Sequence, residues 1–230
     1  MQPEDDDPLK SLDKIMEPDE RQANFVASLA DTHAELSELT LHAGVPAAVR
    51  QVFETAKNVS LYSWFVYRFH QVAELVAYTA LEFALRSRAG HAEFGGIDKK
   101  HLPGPSQLLK RAQSAGWLKS KAFPSLGDMA LRRARHAVMV QSIQLMGERD
   151  EIPVREPTQD EIAKAAAEID VPQIFAKTVP QLRNALAHGS SMLHPNSRST
   201  LRLIGEAINQ LFPVPQEPEC GASGVASSEQ

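Results

Sequence analysis

The chain has 230 residues, 43% of them hydrophobic, and a formal net charge of −5, which suffices for one sizeable core, or for a core with an appended subdomain. Its single cysteine, Cys220, excludes an intrachain disulfide framework or a cysteine-based zinc site and favours a reducing, cytoplasmic setting. No apolar run approaches the roughly 20 residues that span a bilayer, and the first seven residues are acidic where a secretory signal is basic, so no membrane association is expected.

Charge changes sign along the chain. Residues 1–60 hold five basic against twelve acidic side chains, residues 61–149 thirteen against six, and residues 150–230 six against eleven. Lys99, Lys100, Lys110, Arg111, Lys119, Lys121, Arg132, Arg133 and Arg135 dominate the basic middle third. Such a cluster attracts an anionic partner. The competing reading is a set of solvated helix faces neutralised by the acidic flanks.

Residues 1–16, with the run Asp5-Asp6-Asp7, read as a disordered acidic leader, and 213–230 as a tail of the same character. An N-terminal helical extension is expected over 17–58. Pro18, Asp19 and Glu20 give a start signal for a helix through Phe25, Leu29, Leu36 and Leu39, followed by a short one through Val49, Val52 and Phe53. The main domain, 59–212, opens with the longest element, from Ser60 as N-cap to about Arg88. Trp64, Phe65, Val72, Leu75, Val76, Thr79, Ala80 and Phe83 form its inward stripe. After a Gly/Pro-rich loop, Leu108, Leu109 and Ala112 lead to Gly116 as a left-handed helix cap, with Trp117 and Leu118 packing back. A helix over 128–146 turns Leu131, Ala134, Val138 and Ile143 inward, and 147–158 reads as an exposed connection. No period-2 alternation of β-branched residues occurs, so the fold class is all-α: an antiparallel bundle of about four to five core helices.

The most informative segment is Arg183-Asn184-Ala185-Leu186-Ala187-His188-Gly189. Thr178 to Gln181 fits a capping box that starts a fresh helix at Val179; alternatively the helix begins at Asp170 and Pro180 kinks it. Either way Val179, Leu182 and Leu186 make its buried stripe. At about 100° per residue, Arg183 and His188 lie some 140° apart, with Asn184 between them on the solvent side. Side chains so placed suit opposite walls of a groove, or a meeting with their copies across a two-fold axis.

That run, preceded by a helix carrying Ala80-Leu81-Glu82-Phe83-Ala84-Leu85-Arg86, resembles the HEPN superfamily over about residues 60–212. Its signature is an Arg, often followed by a polar residue, and a His four to six positions on. The resemblance implies an all-α, dimeric, metal-independent endoribonuclease, found among toxins, defence effectors and RNA-processing enzymes. RNA and a second copy of the chain are the partners it implies, with an antitoxin or other regulatory protein besides. RNA carries its own nucleophile, the 2′-OH. His188 then transfers the proton and Arg183 clamps the phosphate bidentately. Asn184 orients either group or contacts the substrate, His194 is a second proton carrier, and Arg132, Arg133 and Arg135 contact RNA.

Other readings stay open. Arg183 pairs with a neighbouring acid and His188 merely completes a helix C-terminus; the chain is then a non-catalytic RNA- or protein-binding module, or a structural helical adaptor. The remaining histidines show no HExxH spacing and no cysteine partners, so neither metal nor cofactor is expected. There is no Gly-rich phosphate loop, GxSxG elbow or EF-hand spacing.

Overall fold

The computed structural model describes residues 8–24, 28–90, 103–145, 155–189 and 194–215. Among these residues every regular element is helical and none is a strand, so the fold is an all-α bundle. Eight α-helices are formed, α1 (Leu29–Glu38), α2 (Ala47–Tyr62), α3 (Phe69–Gly90), α4 (Pro105–Ser114), α5 (Leu126–Leu145), α6 (Gln159–Glu168), α7 (Val171–Ala187) and α8 (Ser197–Leu211).

Helix α3 is the hub. It packs along α2 and α8 and touches α4 and α7, while α5 lies on α6 and α4 on α7. One core runs through the bundle. Val49 and Phe53 of α2, Leu81 and Leu85 of α3, Leu108 and Leu109 of α4, Val171 of α7 and Leu201, Ile204 and Ile208 of α8 are all essentially inaccessible. Full burial of each large side chain contributes roughly 1.5–3 kcal/mol. Gly205 lets α8 approach α2, since a Cβ there would stand 3.0 Å from Phe53 Cζ.

The N-terminal helix begins later than Pro18-Asp19-Glu20 implies. Asp19 instead caps a short helical turn that starts at Glu20: its carboxylate accepts from the Arg21 backbone N–H at 3.1 Å, accepts from the Tyr67 backbone N–H at 3.0 Å and pairs with the Arg21 guanidinium at 2.8 Å. Glu20–Asn24 forms a short 3-10 helix, and α1 starts at Leu29, where Ser28 and Asp31 make a capping box. Leu36 is buried on the bundle; Phe25 lies outside the described residues.

The single helix expected from Ser60 to Arg88 is two helices. Ser60 is not an N-cap but sits near the end of α2, and a turn over 63–68 reverses the chain into α3. The boundary expected between residues 58 and 59 therefore falls inside α2. The inward face of α3 also differs from the expected stripe. Ala73, Ala77, Ala80, Leu81, Ala84 and Leu85 are buried, of which the stripe held Ala80 alone, whereas its Val72 and Phe83 remain about 40% exposed, as does Phe69. Small side chains on the buried face let α2 and α8 come close to the α3 backbone.

Helix α4 ends as its sequence implies, with Gly116 at φ +65° and the Trp117 N–H donating to Ala112 O at 2.9 Å. Within α5, Ala130, Ala134 and Val138 are buried, but Ile143 is exposed rather than inward, as are Met139 and Val140. Thr158 caps α6 through a capping box with Glu161, so the connecting segment ends there. Residues 8–16 form exposed turns without helix, and 213–215 are exposed. The remainder of the leader, the loop with Gly95, Gly96, Lys99 and Lys100, most of 147–158, and the tail with Cys220 lie outside the described residues. No described helix is long and apolar enough to cross a membrane.

Candidate functional site

The helix bearing the Arg-Asn-Ala-Leu-Ala-His run starts at Asp170, not at Thr178. The Asp170 carboxylate accepts from the Gln173 N–H at 2.9 Å, and Pro172 occupies the first turn, where a missing N–H does no harm. Thr178 sits mid-helix and donates its hydroxyl to Ile174 O at 2.7 Å. Pro180 lies inside α7. Gly189, at φ +89°, halts the helix one residue after His188, whose N–H donates to Asn184 O at 2.9 Å.

This termination leaves His188 and Asn184 exposed at the negative end of the helix dipole. The His188 ring makes no hydrogen bond or ion pair among the described residues. Arg183 is half-buried at the edge of the core-facing arc. Its Nη2 lies 3.9 Å from Glu82 Oε2 on α3, its Nη1 donates to Asn184 Oδ1 at 3.5 Å, and its buried Nε has no acceptor among the described residues. A guanidinium offers five N–H donors, so these two long contacts leave much of its fork unengaged. Leu182, expected in the buried stripe, is 46% exposed. Val179 is buried and Leu186 partly so; the apolar face of α7 thus outruns its cover in the last two turns.

Glu82 belongs to a polar ladder. His70, Glu74, Tyr78, Glu82 and Arg86 recur at i, i+4 spacing down α3, and Arg86 pairs with Glu82. His194 meets this ladder at Glu74, with Nδ1 3.8 Å from Glu74 Oε1 and no hydrogen-bond partner for that nitrogen among the described residues. Eight residues separate Glu74 from Glu82, about 12 Å along the helix. The structure therefore brings Arg183 and His194 to different points on α3. Burial raises the Glu74 carboxyl above its ordinary range, opposed by the neighbouring His194 and by the Thr200 hydroxyl, which donates to Oε1 at 3.1 Å. Burial also pushes the Tyr78 phenol up to about 12.

At the N-terminal end of the ladder is a cluster that sequence reading does not single out. Ser197 Oγ lies 2.7 Å from both His70 Nδ1 and Ser60 Oγ, and Ser63 Oγ lies 3.2 Å from His70 Nε2. A serine against an imidazole has the form of an activated nucleophile. Here Ser197 is fully buried, so the cluster fastens the first turn of α8 to α2 and α3 rather than meeting substrate. Burial lowers the His70 pKa to about 4, with the charges of Arg198 and His194 adding to the effect.

The three arginines of α5 part company. Arg133 pairs with Glu168 of α6 at 2.9 Å, and Arg135 pairs with Glu156 at 2.8 Å. Arg132 makes no ion pair among the described residues. It lines a groove of about 310 Å³ together with Arg198 and Arg202 of α8. The i, i+4 spacing of Arg198 and Arg202 was the available signal for that grouping. Arg111, also in the basic third, lies over the Trp117 ring at 5.6 Å. Among the described residues no cluster of three His, Cys, Asp or Glu side chains is arranged to hold a metal ion.

Set against known proteins, the chain matches no family model, no curated protein and no solved structure.

Proposed function

We propose that the chain is an endoribonuclease of the HEPN type that cleaves RNA through attack of its own 2′-OH. The observation that carries this reading is the open end of α7, where an imidazole without a partner among the described residues follows five residues after a guanidinium held, among those residues, only by long contacts. His188 takes the 2′-OH proton or delivers one to the departing 5′-oxygen, a role worth about 10²–10⁴-fold. Arg183 meets the phosphoryl oxygens as charge builds on them, with a fork that Lys does not provide. Asn184, beside both, contacts the ribose or orients the guanidinium. None of these steps calls for a metal.

A second copy of the chain completes the site. Phe69, Val72 and Phe83 of α3 and Leu182 of α7 are large apolar side chains left 37–46% exposed. On α3 they share one stripe, and Phe83 adjoins Glu82, the residue against Arg183. Covering that stripe with its own copy about a two-fold axis sets two Arg183–His188 pairs across one cleft.

One observation favours a second reading, a module that binds RNA without cutting it. Glu82 offers Arg183 an internal counter-charge, and a guanidinium kept there would not reach a scissile phosphate. Incubation of purified protein with total RNA in EDTA separates the two. The nuclease reading expects cleavage by the wild type and at least about 100-fold less by His188→Ala or Arg183→Ala. RNA retained but uncut by all three proteins would establish the module instead.

A further inference from the structure

We infer that the outward face of α5 is a docking surface for the N-terminal segment of a second copy of the chain, which pairs with it as a parallel helix. Two faces of α5 are apolar. Ala130, Ala134 and Val138 pack inward, while Met139, Val140 and Ile143 are between 37% and 59% exposed. At about 100° per residue, Ile143 lies diametrically opposite Ala134. Large apolar side chains gain by burial, yet folding of this chain leaves that second face bare.

The N-terminal segment has the complementary property. Leu9, Leu12, Ile15 and Met16 are all exposed, Leu9 almost completely. The segment follows i, i+3 turns, with the Lys14 N–H on Ser11 O at 3.1 Å and the Glu17 N–H on Lys14 O at 3.0 Å, so a small rearrangement leads to a helix. Such a helix would carry Pro8 in its first turn and Asp5, Asp6 and Asp7 at its N-terminal end. Proline is tolerated there, and carboxylates meet the positive end of the dipole.

Spacing and charge select this occupant. Along the outward face of α5, Arg132, His136, Met139 and Ile143 stand at intervals of four, three and four residues. Asp5, Leu9, Leu12 and Met16 repeat those intervals, the alternation with which two helices interlock side chains in a coiled coil. Both series begin with charge, of opposite sign, and end apolar. Only a parallel alignment therefore sets the acidic run beside Arg132 and the apolar residues against one another. Arg132 is the α5 arginine without an ion pair among the described residues, since Arg133 and Arg135 are engaged by Glu168 and Glu156. The chain's own segment, with Leu9 and Leu12 bare, does not cover the face, which leaves the segment of another copy. Neither the end of α7 nor the stripe on α3 takes part, so the inference stands apart from the ribonuclease reading.

Two full chains test it, both carrying Phe83→Asp and Leu182→Asp so that the α3 stripe is silent. The first also carries Leu12→Asp, which spoils the segment; the second carries Ile143→Asp, which spoils the face. In sedimentation velocity each alone should stay single at about 100 µM, whereas an equimolar mixture should form heterodimers with a Kd of roughly 100 µM or tighter. Arg132→Glu in the first chain should weaken that pairing about 5-fold or more, and Lys110→Glu on α4 less than about 2-fold. Met139→Asp replaces Ile143→Asp should that chain fail to fold; both positions are exposed, so the core is spared. Association of either chain alone, a mixture that stays single, or Lys110→Glu costing as much as Arg132→Glu would each overturn the assignment.

Discussion

Acidification should unlock the bundle at His70. The imidazole is only 6% exposed, with a serine hydroxyl at each ring nitrogen. Burial, reinforced by Arg198 and His194, lowers its pKa from 6.5 to about 4. The folded state therefore favours neutral imidazole, and unfolding takes up a proton wherever the pH lies between those values. The stability this provides is complete above pH 6.5 and is lost as the pH falls towards 4. At 1.36 kcal/mol per pKa unit the ceiling is about 3 kcal/mol. Glu74, one turn along α3, acts in the opposite sense. Its raised carboxyl pKa costs the folded state as the pH rises through it, so the wild-type curve alone mixes the two. Urea denaturation followed by circular dichroism across this range, on wild type and His70→Asn, isolates the histidine. The wild type should lose about 2–3 kcal/mol more than the variant between pH 7 and 4. Curves that stay parallel within about 0.5 kcal/mol would refute the reasoning.

Other outcomes follow from particular contacts. Leu201→Ala empties a fully buried position on α8 and should cost about 2–5 kcal/mol in urea denaturation. Gly205→Ala places a methyl 3.0 Å from Phe53 Cζ; the crowding, about 1–3 kcal/mol, should outweigh the roughly 1 kcal/mol of helix propensity gained, which a lowered melting temperature would register. If the proposed two-fold pairing holds, Phe83→Asp with Leu182→Asp should convert that dimer to single chains in light scattering while leaving the helical circular dichroism unchanged. Glu82→Gln removes the carboxylate beside Arg183 and should tighten RNA binding up to about 5-fold in a mobility-shift titration, since a contact as long as 3.9 Å is worth at most about 1 kcal/mol.

Wherever a rule is local, the sequence was legible. Gly116 and Gly189 stop α4 and α7 at positive φ, and Thr158-x-x-Glu161 announces α6. The break between α2 and α3 was hidden because 63–68 contains neither proline nor glycine. What fixes that turn is distant, the Asp19 N–H on Trp64 O at 2.9 Å and the Tyr67 N–H on the Asp19 carboxylate at 3.0 Å. The buried face of α3 was misjudged for a related reason. Side-chain size favours Val72 and Phe83 as core, yet close helix approach selects alanines and leaves these larger residues outside.

At the candidate site, the placement of His188 at a helix end was readable from Gly189. The meeting of Arg183 with Glu82, roughly 100 positions earlier in the chain, was not. Likewise Arg132, Arg133 and Arg135 look equivalent in sequence, and only the acids of α6 and of its approach set Arg132 apart. The serine–histidine cluster draws Ser60, His70 and Ser197 from three helices and Ser63 from the turn between α2 and α3, with no short motif to mark it.

The most direct test of the proposed chemistry compares an RNA oligonucleotide cut by the wild type in EDTA with the same strand carrying a single 2′-deoxy nucleotide at the cut position. Attack by the neighbouring hydroxyl predicts that the substituted strand survives, that the natural strand ends in a 2′,3′-cyclic phosphate, and that His188→Ala spares both. Equal cleavage of the two strands, or undiminished cleavage by His188→Ala, would contradict it.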